Sequence, residues 1–147
     1  MSQPEPRVLY VAEPPAQYLA RPPVVVDASV VAGFIFREPS MAQAQAKMDG
    51  RDLKGPYLLP IEIASVALKK HKAGFVDISS LGMETFLSLS VELSAVKPAQ
   101  VLALAIRYKL STYDAAYLWL AAEIKAPLAT FDEQLGRAAQ VHLATLT

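Results

Sequence analysis

A chain of 147 residues, 53% of them hydrophobic, has enough apolar material for one core of ordinary size and predicts a single folded domain. It contains no cysteine, which excludes a disulfide framework and a thiolate metal site and points to a reducing compartment, the cytoplasm; no leader-like segment and no bilayer-long apolar run is read, so secretion and membrane insertion are not expected. The 14 Lys plus Arg balance 14 Asp plus Glu, which excludes a nucleic-acid binder that relies on a general basic field.

Residues 1–23 hold six of the eleven prolines (Pro4, Pro6, Pro14, Pro15, Pro22 and Pro23), a density that forbids helix and predicts an extended arm. Within it Arg7–Ala12 reads as a strand whose apolar content asks for a surface to pack on, first an edge of this chain's own sheet or a dimer mate's, second a partner-binding groove. Val24–Val26 is a β-branched run that predicts a short buried strand, and it ends in Asp27. Helical spacing follows over Ala28–Arg37, then a second helix capped by Ser40 and running to Gly50. Gly55 and Pro56 read as a turn and Tyr57–Leu59 as a strand. Ile61–Lys72 reads as a helix with Pro60 in its first turn and Gly74 at its end.

A helix from Asp77 or Ser79 through Leu87 comes next, then a strand at Val91–Leu93. Helices are predicted over Pro98–Tyr108 and Thr112–Ile124, a buried strand over Pro127–Phe131, a helix over Asp132–Ala139 and a last strand over Val141–Leu146. Strand and helix alternate almost throughout, which predicts an α/β fold: a parallel sheet with helices on both faces, a three-layer α/β/α sandwich. The domain organisation expected is an arm, 1–23, followed by one domain, 24–147.

Four acids lie where the pattern wants apolar residues. Asp27 follows the Val run, Glu62 sits between Leu58-Leu59-Pro60-Ile61 and Ile63-Ala64-Ser65-Val66, Asp114 opens Ala115–Leu120, and Asp132 ends Leu128–Phe131. Two end predicted strands and two lie in first turns of predicted helices, so a parallel sheet can gather all four at one rim. Each also has a plain reading as a helix cap or dipole partner. Like charges so gathered repel unless a cation offsets them. An all-oxygen donor set without His or Cys suits Mg²⁺ or Mn²⁺ better than Zn²⁺, and such sites hold phosphate esters for attack by activated water. Bound metal would neutralise these acids locally and leave a modest basic excess elsewhere, which keeps phosphate binding open.

The stretches VVVDAS at 24–29, PIEIASV at 60–66, STYDAAY at 111–117 and LATFDEQL at 128–135 resemble, in order and spacing, the PIN domain, in particular the VapC-like toxin ribonucleases of type II toxin-antitoxin pairs. The resemblance implies a Mg²⁺- or Mn²⁺-dependent endoribonuclease that hydrolyses RNA phosphodiester bonds. It implies Asp27, Glu62, Asp114 and Asp132 as the catalytic, metal-binding quartet, Ser29 and Thr130 as hydroxyls beside it, an antitoxin protein as partner, and a homodimer. The arm before residue 24 departs from the family pattern. The competing class is a PIN-like RNA-binding or protein-interaction module that does not cut, against which stands the presence of all four acids. A dehalogenase-type phosphatase would want an acid where Ser29 stands, and a receiver domain would want an acidic pair by the first strand.

Lys69, Lys70, His71 and Lys72 form a basic run that either tracks RNA phosphates or complements a helix C-terminus. His142 reads as structural, and Tyr113, Tyr117 and Trp119 as core rather than base-stacking residues. Met83, Phe86, Leu87 and Leu89 on one helix and Val101, Leu102, Ala105 and Ile106 on another offer a face for dimerisation.

Overall fold

The structure, a computed structural model, describes Tyr10, Ala12 and residues 21–146. Strand β1 (Pro23–Val26) leads into helices α1 (Ala28–Ile35) and α2 (Met41–Met48), and β2 (Asp52–Pro56) into α3 (Leu59–Lys72) and α4 (Val76–Ser88). Strand β3 (Glu92–Ser94) is followed by α5 (Pro98–Tyr108) and α6 (Thr112–Ile124), and β4 (Leu128–Ala129) by α7 (Glu133–Leu143). The four strands form one sheet in the order β3-β2-β1-β4 with every neighbouring pair parallel. Helices α1 to α4 pack on one another, while α5 to α7 form a second group in which α6 lies against β1, β2 and β4. This is the three-layer α/β/α sandwich expected of the alternation.

The Val run explains the centre of the sheet. Val24, Val25 and Val26 are all buried, as a parallel strand covered on both faces requires. Helix α6 is buried continuously from Ala115 to Leu120 and on to Ala121, so it is apolar all round rather than striped, which marks a helix inside the fold. Leu59 and Ile63 of α3, Tyr117 and Leu118 of α6 and Leu135 of α7 are fully buried side chains of the same core.

Three elements differ from the sequence reading. The second strand is Asp52–Pro56 and not Tyr57–Leu59, with Lys54 facing Glu92 across to β3 and ion-paired to it. Val141–Leu146 is not a strand: α7 runs on to Leu143, so His142 is helical, with its Nδ1 2.8 Å from the Tyr108 hydroxyl. Ser40 occupies the N-cap of α2 without making a side-chain cap bond. The dimer face shrinks as well, because Phe86, Val101 and Ala105 belong to the core, leaving Leu87, Leu102 and Ile106 exposed. Of the strand expected at Arg7–Ala12, Tyr10 and Ala12 are exposed and in no strand, and the remainder lies outside the described residues. No helix among the described residues is long and apolar enough to cross a membrane.

Candidate active site

The order β3-β2-β1-β4 places the first and last strands side by side, with β2 and β3 continuing in one direction from β1 and β4 standing on the other side. A parallel sheet whose connections diverge in this way opens a crevice beyond the carboxyl ends of the two strands at the switch. Asp27 follows β1 and Thr130, Phe131 and Asp132 follow β4, so both segments border that crevice. The Asp27 amide donates to the Ala129 carbonyl at 3.3 Å, which draws the two strand ends together.

Asp27 is one of only two buried polar or charged side chains among the described residues. Its backbone is extended, as an N-cap requires, and its Oδ1 accepts the Val30 amide at 3.1 Å and the Ser29 hydroxyl at 2.6 Å. Its Oδ2 accepts the Thr130 hydroxyl at 2.5 Å. Burial pushes the carboxyl above its ordinary pKa, and the bonds from Ser29, Thr130 and Val30 work against that shift. The carboxylate that caps α1 is therefore also the one that borders the crevice.

The two hydroxyls also hold the strand end of β4. Ser29 Oγ accepts the Phe131 amide and Thr130 Oγ1 accepts the Asp132 amide, both at 2.9 Å. Each hydroxyl thus takes a backbone proton from the β4 turn and gives its own proton to Asp27, so the position of Asp132 is set relative to Asp27. Asp132 itself caps α7, its Oδ1 accepting the Leu135 amide at 2.8 Å, and it is exposed to solvent.

The other two acids ride on helices. Glu62 is in the first turn of α3 and half-buried, and its Oε1 accepts the Tyr117 hydroxyl at 2.8 Å. Asp114 is in the first turn of α6, where Ser111 caps the helix by accepting the Asp114 amide at 3.1 Å. Burial raises the pKa of Glu62, opposed by the Tyr117 bond and reinforced by the charges of Asp114 and Asp27. Burial likewise raises Asp114, with Asp132 and Asp27 adding to it and Ser111 opposing. These mutual effects place all four predicted acids within one electrostatic neighbourhood.

Among the described residues no Lys, Arg or His contributes to the shifts of Asp27, Glu62 or Asp114. Three ion pairs among the described residues join Lys54 to Glu92, Lys70 to Glu38 and Arg137 to Glu133, and none of these three includes a member of the quartet. Among the described residues no three carboxylates form a ready-made metal cage. The donor chemistry nonetheless fits a hard divalent cation, since every available ligand atom is a carboxylate or hydroxyl oxygen and the charge is uncompensated. Asp27 is fixed by three bonds, whereas Glu62 and Asp114 are half-exposed.

Tyr117 is the residue that the sequence reading assigned to the core alone. It is 1% exposed, yet its hydroxyl orients Glu62, and burial together with the Glu62 charge pushes its own pKa up and keeps it a donor. Its position three after Asp114 puts both on one helix face, a signal available from spacing. Trp119 is core, its indole donating to Gln100 at 2.7 Å, whereas Tyr113 is 63% exposed, contrary to its expected burial. The basic run occupies the last turn of α3, about 15 Å along the helix from Glu62. Lys70 there pairs with Glu38 at 3.3 Å and lies over the Phe36 ring, while Lys69 and Lys72 are exposed.

The family model of the PIN domain matches residues 24–141. Ribonuclease VapC3 of Pyrobaculum aerophilum is 33% identical over 119 residues, covering 76% of this chain and 91% of that protein. The crystal structure of PAE2754 from the same organism superimposes with a TM-score of 0.62 at 23% identity, over 84% of this chain and 95% of that one, and shares the fold. PIN-domain ribonucleases generally use divalent metal ions.

Proposed function

This chain belongs to the PIN domain family, and from that premise we propose that it is a Mg²⁺- or Mn²⁺-dependent endoribonuclease, the toxin of a type II toxin-antitoxin pair. The observation that carries the reading is the uncompensated crowding of Asp27, Glu62 and Asp114, each with a raised carboxyl pKa, at the switch point of the sheet. Asp27, Glu62, Asp114 and Asp132 would hold the cation. When bound, the ion neutralises phosphate charge and makes water a competent nucleophile near neutral pH.

The residues of the chain supply the positioning. Ser29 and Thr130 orient both oxygens of Asp27, and through the Phe131 and Asp132 amides they fix the turn carrying the fourth acid. Tyr117 holds one oxygen of Glu62 and leaves the other free to face the crevice. Lys69 and Lys72, exposed at the far end of α3, would meet phosphates of the strand beyond the cut. The place of action proposed is the cytoplasm. The exposed Leu87, Leu102 and Ile106 offer the apolar contact for a homodimer, and a monomer mass by light scattering at tens of micromolar would count against pairing. Residues 1–23 are proposed to act in assembly rather than chemistry, so deleting Met1–Arg21 should weaken the dimer or lower the melting temperature while cleavage persists; faster cleavage by a truncated protein of unchanged stability would make the arm a plug.

The direct test is cleavage of single-stranded RNA by the purified full chain with Mg²⁺, with Mn²⁺ and with EDTA. Cutting is expected with either ion and absent in EDTA. Asp27→Asn and Asp114→Asn should each abolish it with the fold retained, since Asn caps a helix about as well as Asp27 does and the helix carrying Asp114 is capped by Ser111. Cleavage that persists in EDTA, or in both variants, would remove the metal-nuclease reading.

A further inference from the structure

A cleft of about 460 Å³ opens directly beside the acids, lined by Ser29, Ala32, Val66, Phe131, Glu38 and Ser40 among others. That volume is within the range of small-ligand sites and ample for one nucleobase. The cleft adjoins the acids through two of its lining residues: Ser29 donates to Asp27, and Phe131 is the residue between Thr130 and Asp132. A strand whose phosphate sits at the acids therefore has its neighbouring base at this opening.

The lining has the composition of a base site. Phe131 is 44% exposed, a large aromatic ring left at the mouth, while its backbone is tied down by the amide bond to Ser29. Gly33 lies behind the lining residues Ser40 and Phe131: a Cβ there would stand 2.7 Å from Ser40 Oγ and would displace that hydroxyl, while meeting Phe131 Cε2 at an ordinary contact distance of 3.5 Å. Ala32 and Val66 supply apolar surface for the faces of a ring. The charged group is Glu38, one oxygen of which pairs with Lys70 at 3.3 Å, so the pair is neutral as a whole and does not repel a nucleic acid.

We propose that this cleft is a nucleobase subsite that stacks a guanine of the RNA strand on Phe131 and reads it through Glu38. The proposal rests on the ribonuclease reading for its substrate class and adds the base. A carboxylate only accepts hydrogen bonds. Guanine alone among the four bases presents two adjacent donors on one edge, N1–H and the N2 amino group, whereas adenine and cytosine pair a donor with an acceptor and uracil flanks its donor with two acceptors. Single-stranded RNA exposes those edges for such contacts, and stacking on an aromatic ring accepts any base while the edge contacts select one.

The test uses the full-length protein and a set of RNA hexamers identical except for one central base: guanine, inosine, adenine, cytosine or uracil. Binding is measured by fluorescence anisotropy in EDTA, and cleavage separately with Mn²⁺. The guanine hexamer should bind on the order of tenfold more tightly than the others, with inosine, which lacks the N2 amino group, falling between. Phe131→Ala should weaken every hexamer on the order of tenfold, and Glu38→Gln should bring guanine level with inosine and leave the others unchanged. Equal binding of all five, or Phe131→Ala and Glu38→Gln proteins that bind and cut as the parent does, would overturn the subsite, and if RNA is still cut the ribonuclease reading stands. Guanine-selective binding lost in these variants, from a protein that cuts nothing, would retain the subsite and remove the ribonuclease reading.

Discussion

The two strand-end acids and the two helix-borne acids meet at one rim but are held in different ways. Asp27 and Asp132 each cap the helix that follows, so the fold itself spends a backbone amide, of Val30 and of Leu135, on fixing their carboxylates. Glu62 and Asp114 lie inside first turns, where no amide claims the carboxylate. One is steadied by a tyrosine hydroxyl and the other by a cap serine. The difference divides the site into a fixed half built from strand ends and an adjustable half whose carboxylates no backbone amide holds.

That division orders the expected effects. The largest belongs to the fixed half: Asp27→Ala should abolish RNA cleavage and also lower stability by about 1 kcal/mol through the lost cap, read by denaturant melts. A stable Asp27→Ala protein with activity would mean that the strand end is only structural. Thr130→Val keeps the shape but removes the hydroxyl that joins Asp27 to the Asp132 amide. It should reduce kcat/KM by about 10- to 100-fold, as loss of a partner that orients a metal ligand generally does. An unchanged rate would show that the hydroxyl bridge is not what positions the acids.

For the group that supports the other half the effect should be smaller. Tyr117→Phe frees Glu62 at a cost of about 1 kcal/mol for one hydrogen bond, with a loss of activity less than that of Thr130→Val. A larger loss than in Thr130→Val would invert the comparison. The pH profile gives a gentler probe. Asp27, Glu62 and Asp114 all have raised pKa values, so protons compete for them at a pH above the ordinary carboxylate range. Activity should therefore fall as pH drops into that region, and raising Mn²⁺ should move the acid limb to lower pH, because metal and protons contend for the same oxygens. An acid limb independent of metal concentration would contradict this.

How much of this could be read from residues alone follows the same physics. The acids were legible because a charge in an apolar setting violates the pattern, and Val24–Val26 because a β-branched run has few alternatives. β2 was not: Asp52, Lys54, Gly55 and Pro56 carry the marks of a turn, and only the pairing of Lys54 with Glu92 and the burial of Pro56 reveal a strand. The last segment misled in the other direction, since Val141-His142-Leu143 looks like a short strand until Leu135, Ala138 and Ala139 are seen to set a helical face that His142 extends. Tyr117 was hidden by its burial: an aromatic in a hydrophobic helix reads as core, and nothing in the spacing names Glu62, 55 residues away, as its partner. The cap and function readings of Asp27 do not exclude each other, since the carboxylate that accepts the Val30 amide also borders the crevice.

The claim at the centre is that these carboxylates crowd one another for the sake of a cation, and melting curves with and without metal test it most directly. A carboxyl whose pKa is raised on folding binds more protons folded than unfolded, so without metal it costs stability above that raised pKa and the cost is relieved as pH falls through it. Neutralising Asp114 by Asp114→Asn should therefore raise the melting temperature of the EDTA-treated protein at neutral pH, while Mn²⁺ should stabilise the parent more than the variant and close or reverse the gap. An Asp114→Asn protein that melts lower in EDTA, with Mn²⁺ leaving both proteins unchanged, would contradict the account.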